Sequence, residues 1–407
     1  MYCHIDADAF FASVLQRHNP RLRGKPLLAL AMGGGFVIAA SYEAKAKGVK
    51  TGMRLRDAQT LCPEALAAPS DFSEACSASQ QIESILMSIC PRIEKMSVDE
   101  WFLDLKKCPG GVPHHLLRWA RGTQRIVSQS VGVSVSVGIA PTKLLAKMAS
   151  EYRKPSGITM IDERKTDMSV ESFLRDRPKE AIPGMGRQRS IQAQALQWRT
   201  AWDVAQAPEE TLVHLFGKPG ITMRHELMGT AVEEIEEDVR PPQSISRCRS
   251  FTRTRNRDML MGFLMQHAAH CVLKMRREGL QCRGIAVWLR DAALQYAERA
   301  CKLPQPLDTE EQLLSSVHAC FCDAWNRSVA YTQIGMCLFR LQPAGAQQYA
   351  LFENTQRTDR AQELQRSLDT VRKRYGRDAI VRGPGVLLHK GCRTVTPNRY
   401  GSIPTVR

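Results

Sequence analysis

A multidomain α+β fold is what this sequence predicts, and three observations carry it. At 407 residues the chain exceeds one compact core, because single domains cluster at about 100–150 residues. Residues 2–5, 93–105 and 131–139 carry strand patterns, and the stretches between them show helical spacing, which together suggest an antiparallel sheet backed by helices. Residues 243–343 read strand, helix, strand, strand, helix, strand, a β-α-β-β-α-β module.

In chain order, residues 2–5 form a strand, and Asp6-Ala7-Asp8-Ala9-Phe10-Phe11-Ala12-Ser13-Val14 turns from it into a helix. A second strand spans 26–31. Gly33-Gly34-Gly35 then turns the chain through Phe36 and Ile38 into a short helix that carries Tyr42, Lys45 and Lys47 and is stopped by Gly48. A helix over 72–90 precedes a hairpin over 93–105 with the acid pair Asp99-Glu100. The alternation over 131–139 gives another strand. Ile182-Pro183-Gly184-Met185-Gly186 lies between helical stretches, where successive N–H groups at a glycine turn can hold a phosphate oxygen; it resembles a helix-hairpin-helix turn. The acidic run 233–238 and Pro241-Pro242 read as a linker, so a new domain starts at Gln243. Its elements span 244–255, 258–278, 283–290, 296–303, 309–325 and 331–341. Residues 344–407 read as looser and strongly basic.

Charge narrows the partners. Lys and Arg number 57 against 41 Asp and Glu, a net charge of +16, which favours a large polyanion. The excess is uneven, since 167–240 is net acidic between basic neighbours. Thirteen cysteines without Cys-x-x-Cys spacing argue against a disulfide framework or a zinc site and for a reducing compartment. No run reaches the roughly eighteen apolar residues of a membrane span, and the acid-bearing start does not read as a signal peptide. A cytoplasmic protein is expected.

The acids carry the chemistry. Carboxylates set among half-buried strand residues repel one another, so such a cluster persists around a divalent cation or a cationic partner, and Mg²⁺ is the first expectation. In the first strand of the later module, Arg247, Arg249, Arg253, Arg255 and Arg257 all fall at odd positions. A regular strand would show them on one face, suited to a phosphate backbone.

Six segments in order resemble the Y-family translesion DNA polymerases over about residues 1–343. They are the run from Asp6 to Val14, Ser41-Tyr42-Glu43-Ala44-Lys45, Ser97-Val98-Asp99-Glu100, Gly138-Ile139-Ala140-Pro141-Thr142-Lys143-Leu144-Leu145-Ala146-Lys147, Lys154-Pro155-Ser156-Gly157 and the glycine turn at 182–186. The resemblance implies a right-hand polymerase: palm 1–18 and 72–166, small fingers 19–71, helical thumb 167–240, little finger 243–343 and basic tail 344–407. It implies Asp6, Asp99 and Glu100 as catalytic acids, holding two Mg²⁺ ions with the carbonyl of Ala7. Asp8 and Asp104 fall off the matching positions and take structural roles. Phe10, Phe11, Tyr42, Lys45 and Lys154 become nucleotide-binding, with Phe11 the steric gate against ribose. Phe36 and Ile38 roof the nascent base pair. Gly184, Gly186 and the five arginines become DNA-binding, and the resemblance implies a nucleoid-associated protein.

Three further features resemble the UmuC-type branch. Thr142 precedes Lys143, Gln348-Tyr349-Ala350-Leu351-Phe352 looks like a sliding-clamp peptide, and the segment from Leu368-Asp369 onward looks like a degenerate UmuC-type tail. That branch implies primer-template DNA, dNTPs, a clamp bound through Gln348, Leu351 and Phe352, a UmuD′-like dimer and a RecA filament as partners. A DinB-type enzyme working alone is the alternative, as is an inactive recruitment module. Trp101 stands where a small residue commonly follows the acid pair.

Overall fold

The computed structural model describes residues 1–31, 34–162, 168–236, 241–345, 355–376, 379–381 and 383. The described residues fall into two compact units, 1–236 and 241–383.

In the first unit, β1 (Tyr2–Ala7) leads into α1 (Phe10–His18). A three-stranded sheet follows, with β2 (Leu27–Leu30) between β3 (Val37–Ala40) and β4 (Leu66–Pro69). Two short helices, α2 (Tyr42–Ala46) and α3 (Leu55–Leu61), join β3 to β4. Next comes α4 (Phe72–Ile89), whose Ala75, Ala78, Ile82 and Leu86 are buried at helical spacing while the Asp71 side chain accepts from the N–H groups of Ser73 and Glu74. It delivers the hairpin of β5 (Ile93–Lys95) and β6 (Glu100–Asp104). Helix α5 (Leu116–Val131), strand β7 (Val135–Ala140), helix α6 (Lys143–Tyr152) and strand β8 (Ile158–Met160) complete the core of this unit. The large sheet runs β5-β6-β1-β7-β8, so β1 is central and antiparallel to both neighbours. All six residues of β1 are buried, with Cys3, Ile5 and Ala7 in one apolar cluster and Tyr2 in another on the opposite face.

The strand expected over 131–139 starts later. Val131 ends α5, Gly132 caps it at φ +73°, and the extended conformation begins at Val135. Five helices follow β8: α7 (Val170–Arg175), α8 (Arg187–Ala195), α9 (Ala201–Ala205), α10 (Glu209–Phe216) and α11 (Lys218–Leu227).

The second unit has the expected β-α-β-β-α-β order: β9 (Ser244–Thr254), α12 (Arg257–Arg277), β10 (Leu280–Asp291), β11 (Tyr296–Leu307), α13 (Glu310–Ala324) and β12 (Tyr331–Pro343). Its sheet is antiparallel throughout, ordered β11-β10-β12-β9. Leu260, Phe263, Leu264, Val317 and Phe321 of the helices pack on Ile285, Val287, Ile334 and Met336 of the sheet. On the opposite face Trp288 lies across Gly335, where an added Cβ would fall 2.3 Å from the indole. Cross-strand glycine is therefore what lets that ring lie flat on the sheet.

The tail departs from its reading as looser chain. A 21-residue helix, α14 (Thr355–Tyr375), forms there and docks on α13. The clamp peptide residues Gln348, Leu351 and Phe352 lie outside the described residues, as do the tail segments beyond Gly383.

Candidate active site

Register brings the acids together. Asp6 in β1 pairs with Glu100 in β6, and the Ala7 N–H donates to the Asp99 carbonyl at 2.9 Å. The backbone thus brings three acidic residues to one end of the central strand pair. Asp6 is 5% exposed. Each acid has a cation or hydroxyl on it: Lys154 Nζ lies 2.5 Å from Asp6 Oδ1, Lys147 Nζ lies 2.6 Å from Glu100 Oε2, and the Ser97 hydroxyl donates to Asp99 Oδ1 at 2.5 Å.

These partners change the arrangement expected for a metal centre. Among the described residues no three acidic side chains close around one cation-sized position, and Asp6 and Glu100 are instead paired with Lys154 and Lys147. The electrostatics still call for more positive charge. Burial pushes the Asp6 carboxyl up to about 8, even against the pull of Lys154. Burial would lower the Lys154 ammonium, but Asp6 and Glu151 outweigh it and hold the group above its ordinary value. An all-oxygen donor set that stays short of positive charge fits a hard divalent cation.

Asp8 and Asp104 are engaged in contacts that hold the fold. Asp8 is 1% exposed and accepts from the Ser136 hydroxyl at 2.7 Å, the Ser156 N–H at 2.8 Å and the Tyr42 hydroxyl at 3.4 Å. It ties β1 to β7, to α2 and to the loop after α6. Asp104 caps the turn of residues 105–107 by accepting from the Lys106 N–H.

Lys45 and Tyr42 stand together on α2, with the ammonium 4.4 Å from the ring centroid. The Ser41 hydroxyl starts this helix by accepting from the Ala44 N–H, and it accepts the Leu27 N–H as well. Burial, then the charge of Lys154, lower the Lys45 ammonium below its usual value. Two lysines whose charges are felt by one another offer a polyphosphate two cationic donors at one place.

The adjacent phenylalanines separate. Phe10, 2% exposed, is enclosed in the core, so its ring is closed to a ligand and its expected nucleotide contact is not a ring contact. Phe11 is partly exposed, edge-on to Phe72 at 5.4 Å, and packs on the same small cluster as Ile38. Phe36 is 52% exposed immediately before β3. Trp101 is fully buried beneath the acids among Ile5, Leu103 and Val137, so the large residue is absorbed by the core.

Sequence reasoning missed the lysine on Glu100. Lys147 belongs to a quoted motif but received no role; its signal was the spacing Lys143-x-x-x-Lys147, which puts both on one face of α6. Lys143 is itself buried, bound to Glu94 at 2.7 Å and to the Glu234 carbonyl at 3.2 Å. Glu226, 2% exposed, accepts from the N–H groups of Leu144, Val232 and Glu233. The acidic run after α11 is thus strapped to the first unit as far as Glu236, which donates its N–H to Glu94. At the glycine turn, Gly184 has φ +86° and Gly186 caps α8, while Arg189 donates to the Gly184 carbonyl at 3.0 Å.

The arginine stripe of the second unit is split. Arg247 and Arg249 pair with the buried Met336 and Ile334, so they share the helix-covered side of β9, and the Arg249 guanidinium lies 4.9 Å from the Phe263 ring. A register shift then intervenes between Ser250 and Thr254, ending the regular alternation before Arg253 and Arg255, both exposed. Arg257 is already the first residue of α12 and lies over the Phe321 and Trp325 rings. One bulge is enough to break a single-face stripe.

Residues 5–151 match the impB/mucB/samB family, and residues 242–351 match the C-terminal domain of that family. DNA polymerase IV of Moorella thermoacetica is 31% identical over 400 residues, covering 94% of this chain and 96% of the relative. DNA polymerase IV of Xanthomonas axonopodis pv. citri is 32% identical, covering 76% and 85%. Among solved structures, a Y-family DNA polymerase chimera superposes with a TM-score of 0.73 at 23% identity, over 84% of this chain and 99% of the other. The insertion ternary complex of Dbh DNA polymerase gives 0.59 over the same shares. The fold is therefore that of a right-hand polymerase with palm, fingers, thumb and little finger. With both family segments matched in order and relatives similar along nearly its whole length, the chain belongs to the impB/mucB/samB family, the Y-family DNA polymerases.

Proposed function

We propose that this chain is a template-directed translesion DNA polymerase of the DinB type, extending a primer past damaged bases by nucleotidyl transfer. The observation that carries it is the juxtaposition of Asp6, Asp99 and Glu100 across β1 and β6, beside Lys45 and Lys154. The named relatives are DNA polymerase IV proteins, which favours a stand-alone enzyme over the UmuC-type subunit that the tail suggested.

Asp6, Asp99, Glu100 and the Ala7 carbonyl would hold two divalent cations, Mg²⁺ by donor chemistry, which when bound activate the primer 3′ oxygen and offset charge on the leaving pyrophosphate. Lys154 and Lys45, with the Tyr42 hydroxyl, bind the triphosphate; Lys154 is then shared between Asp6 and a phosphate oxygen. Lysine at 45 supplies charge without the two-pronged geometry of arginine. Asp8 keeps Tyr42 and the Ser156 backbone in place. Phe11 occupies the space of a ribose 2′-hydroxyl, while Phe36 and Ile38 cover the new base pair. Gly184, Gly186 and the exposed Arg253 and Arg255 grip phosphates without reading sequence. The palm is assigned to 1–18 and 72–166, the fingers to 19–71, the thumb to 167–240 and the little finger to 243–343.

Primer extension by the purified chain with dNTPs and Mg²⁺, with and without a RecA filament and a UmuD′-like dimer, tests the branch. Unaided extension is expected. Strict dependence on both partners would return the chain to the UmuC-type reading.

A further inference from the structure

We propose that the outward face of α14 is a second phosphate-backbone surface of the C-terminal unit, one that binds primer-template DNA; the inference rests on the polymerase reading above. The helix is fixed in place by buried polar contacts. Arg372 pairs with Glu310 at the start of α13, each side chain 1% exposed, and Gln365 accepts from the Glu310 N–H at 3.0 Å. The Arg276 guanidinium at the end of α12 binds Asp308 at 2.8 Å and Asp369 of α14 at 2.7 Å. Burying charge in this way is a device for fixing register more than for stability.

That register sorts the charge of the helix. Asp369 is turned inward and neutralised, whereas Arg360, Arg366, Lys373 and Arg374 are all exposed. Among the described residues none of these four has an acidic partner, and Arg374 rests beside the Tyr375 ring at 5.3 Å. Glu363 is the one exposed acid described on α14. Arg366 and Lys373 are seven residues apart, hence on one flank about 10 Å along the axis. A merely solvated helix mixes both signs on its surface. A rigid helix presenting four cations against one described acid fits a polyanion, and duplex DNA supplies the densest regular array of negative charge.

The surface is separate from the β9 arginines. Helix α13 packs on β10 and β11, and α14 packs on α13, whereas β9 is the other edge of the sheet. The two sets can therefore be changed independently.

The test is fluorescence anisotropy of a labelled primer-template with the full chain, titrated between about 50 and 200 mM salt. Arg366→Gln/Lys373→Gln/Arg374→Gln is expected to flatten the slope of log K against log salt by about two to three units, at about 0.9 per phosphate contact. Thermal unfolding and single-nucleotide incorporation at saturating DNA stay unchanged. An unaltered slope in this variant, with a flattened slope in Arg253→Gln/Arg255→Gln, overturns the proposal and leaves the polymerase reading standing. A wild-type chain that binds no DNA overturns both.

Discussion

The two main sheets of this protein treat charge in opposite ways. In the five-stranded sheet the central strands bury His4, Asp6 and Ser136, each at 5% exposure or less, with Asp8 immediately beyond β1. In the four-stranded sheet, no described strand residue that is charged or polar is buried, and its arginines stay at or near the surface. Buried carboxylates need fixed partners, and here Ser136, Ser156, Lys147 and Lys154 come from elements far along the chain. Surface arginines need only a scaffold. The first arrangement suits chemistry at defined atoms, whereas the second suits adhesion to a backbone of any sequence.

The largest effect should come from the exception to that contrast. Arg372→Met takes the guanidinium away from the buried Glu310 carboxylate, and breaking such a pair costs about 3–5 kcal/mol. A much lower urea midpoint for the C-terminal unit is expected, with the double variant Arg372→Met/Glu310→Leu recovering most of it. No change in the single variant would mean that the pair carries nothing.

Phe11→Ala tests the palm side. An apolar wall rejects an added hydroxyl by about a hundredfold, so rNTP incorporation relative to dNTP should rise by roughly that factor. An unchanged ratio in single-nucleotide kinetics would return Phe11 to packing on Phe72.

His267 tests whether the C-terminal unit tolerates charge inside. Burial, then Arg247, His270 and Arg249, lower its ring to about 3. Below the ordinary value near 6.5 the unfolded chain takes a proton that the folded one refuses, so stability falls as pH drops from 6.5 toward 3. At pH 5 the loss is about 2 kcal/mol, and His267→Leu should remove that part of the acid sensitivity in urea titrations. Equal acid sensitivity in wild type and variant would contradict it.

The smallest effect concerns the surface. Replacing Arg253 and Arg255 should flatten the salt dependence of DNA binding by about two units and leave incorporation at saturating DNA intact. Replacing Arg247 and Arg249, on the helix-covered side, should change it less.

Much of this contrast was legible in the sequence, and the rest was hidden for identifiable reasons. Apolar neighbours around Asp6 and Asp99-Glu100 marked buried strands, and the element order of residues 243–343 followed from local alternation. The partners of the acids were not legible, because Lys147 and Lys154 reach Glu100 and Asp6 only once α6 packs beside β1. The bulge in β9 has no residue signature, so an arginine stripe that looked continuous was not. Helix α14 escaped notice because Glu310, Asp308 and Arg276, which hold it, lie well before it in the chain.

The most direct measurement is single-nucleotide extension of a primer on undamaged and abasic templates with Mg²⁺, comparing wild type with Asp99→Ala/Glu100→Ala. The account predicts extension on both templates by wild type, none by the variant, and unchanged DNA affinity in the two. Extension that survives the double substitution would contradict the assignment of chemistry to the β1–β6 acids.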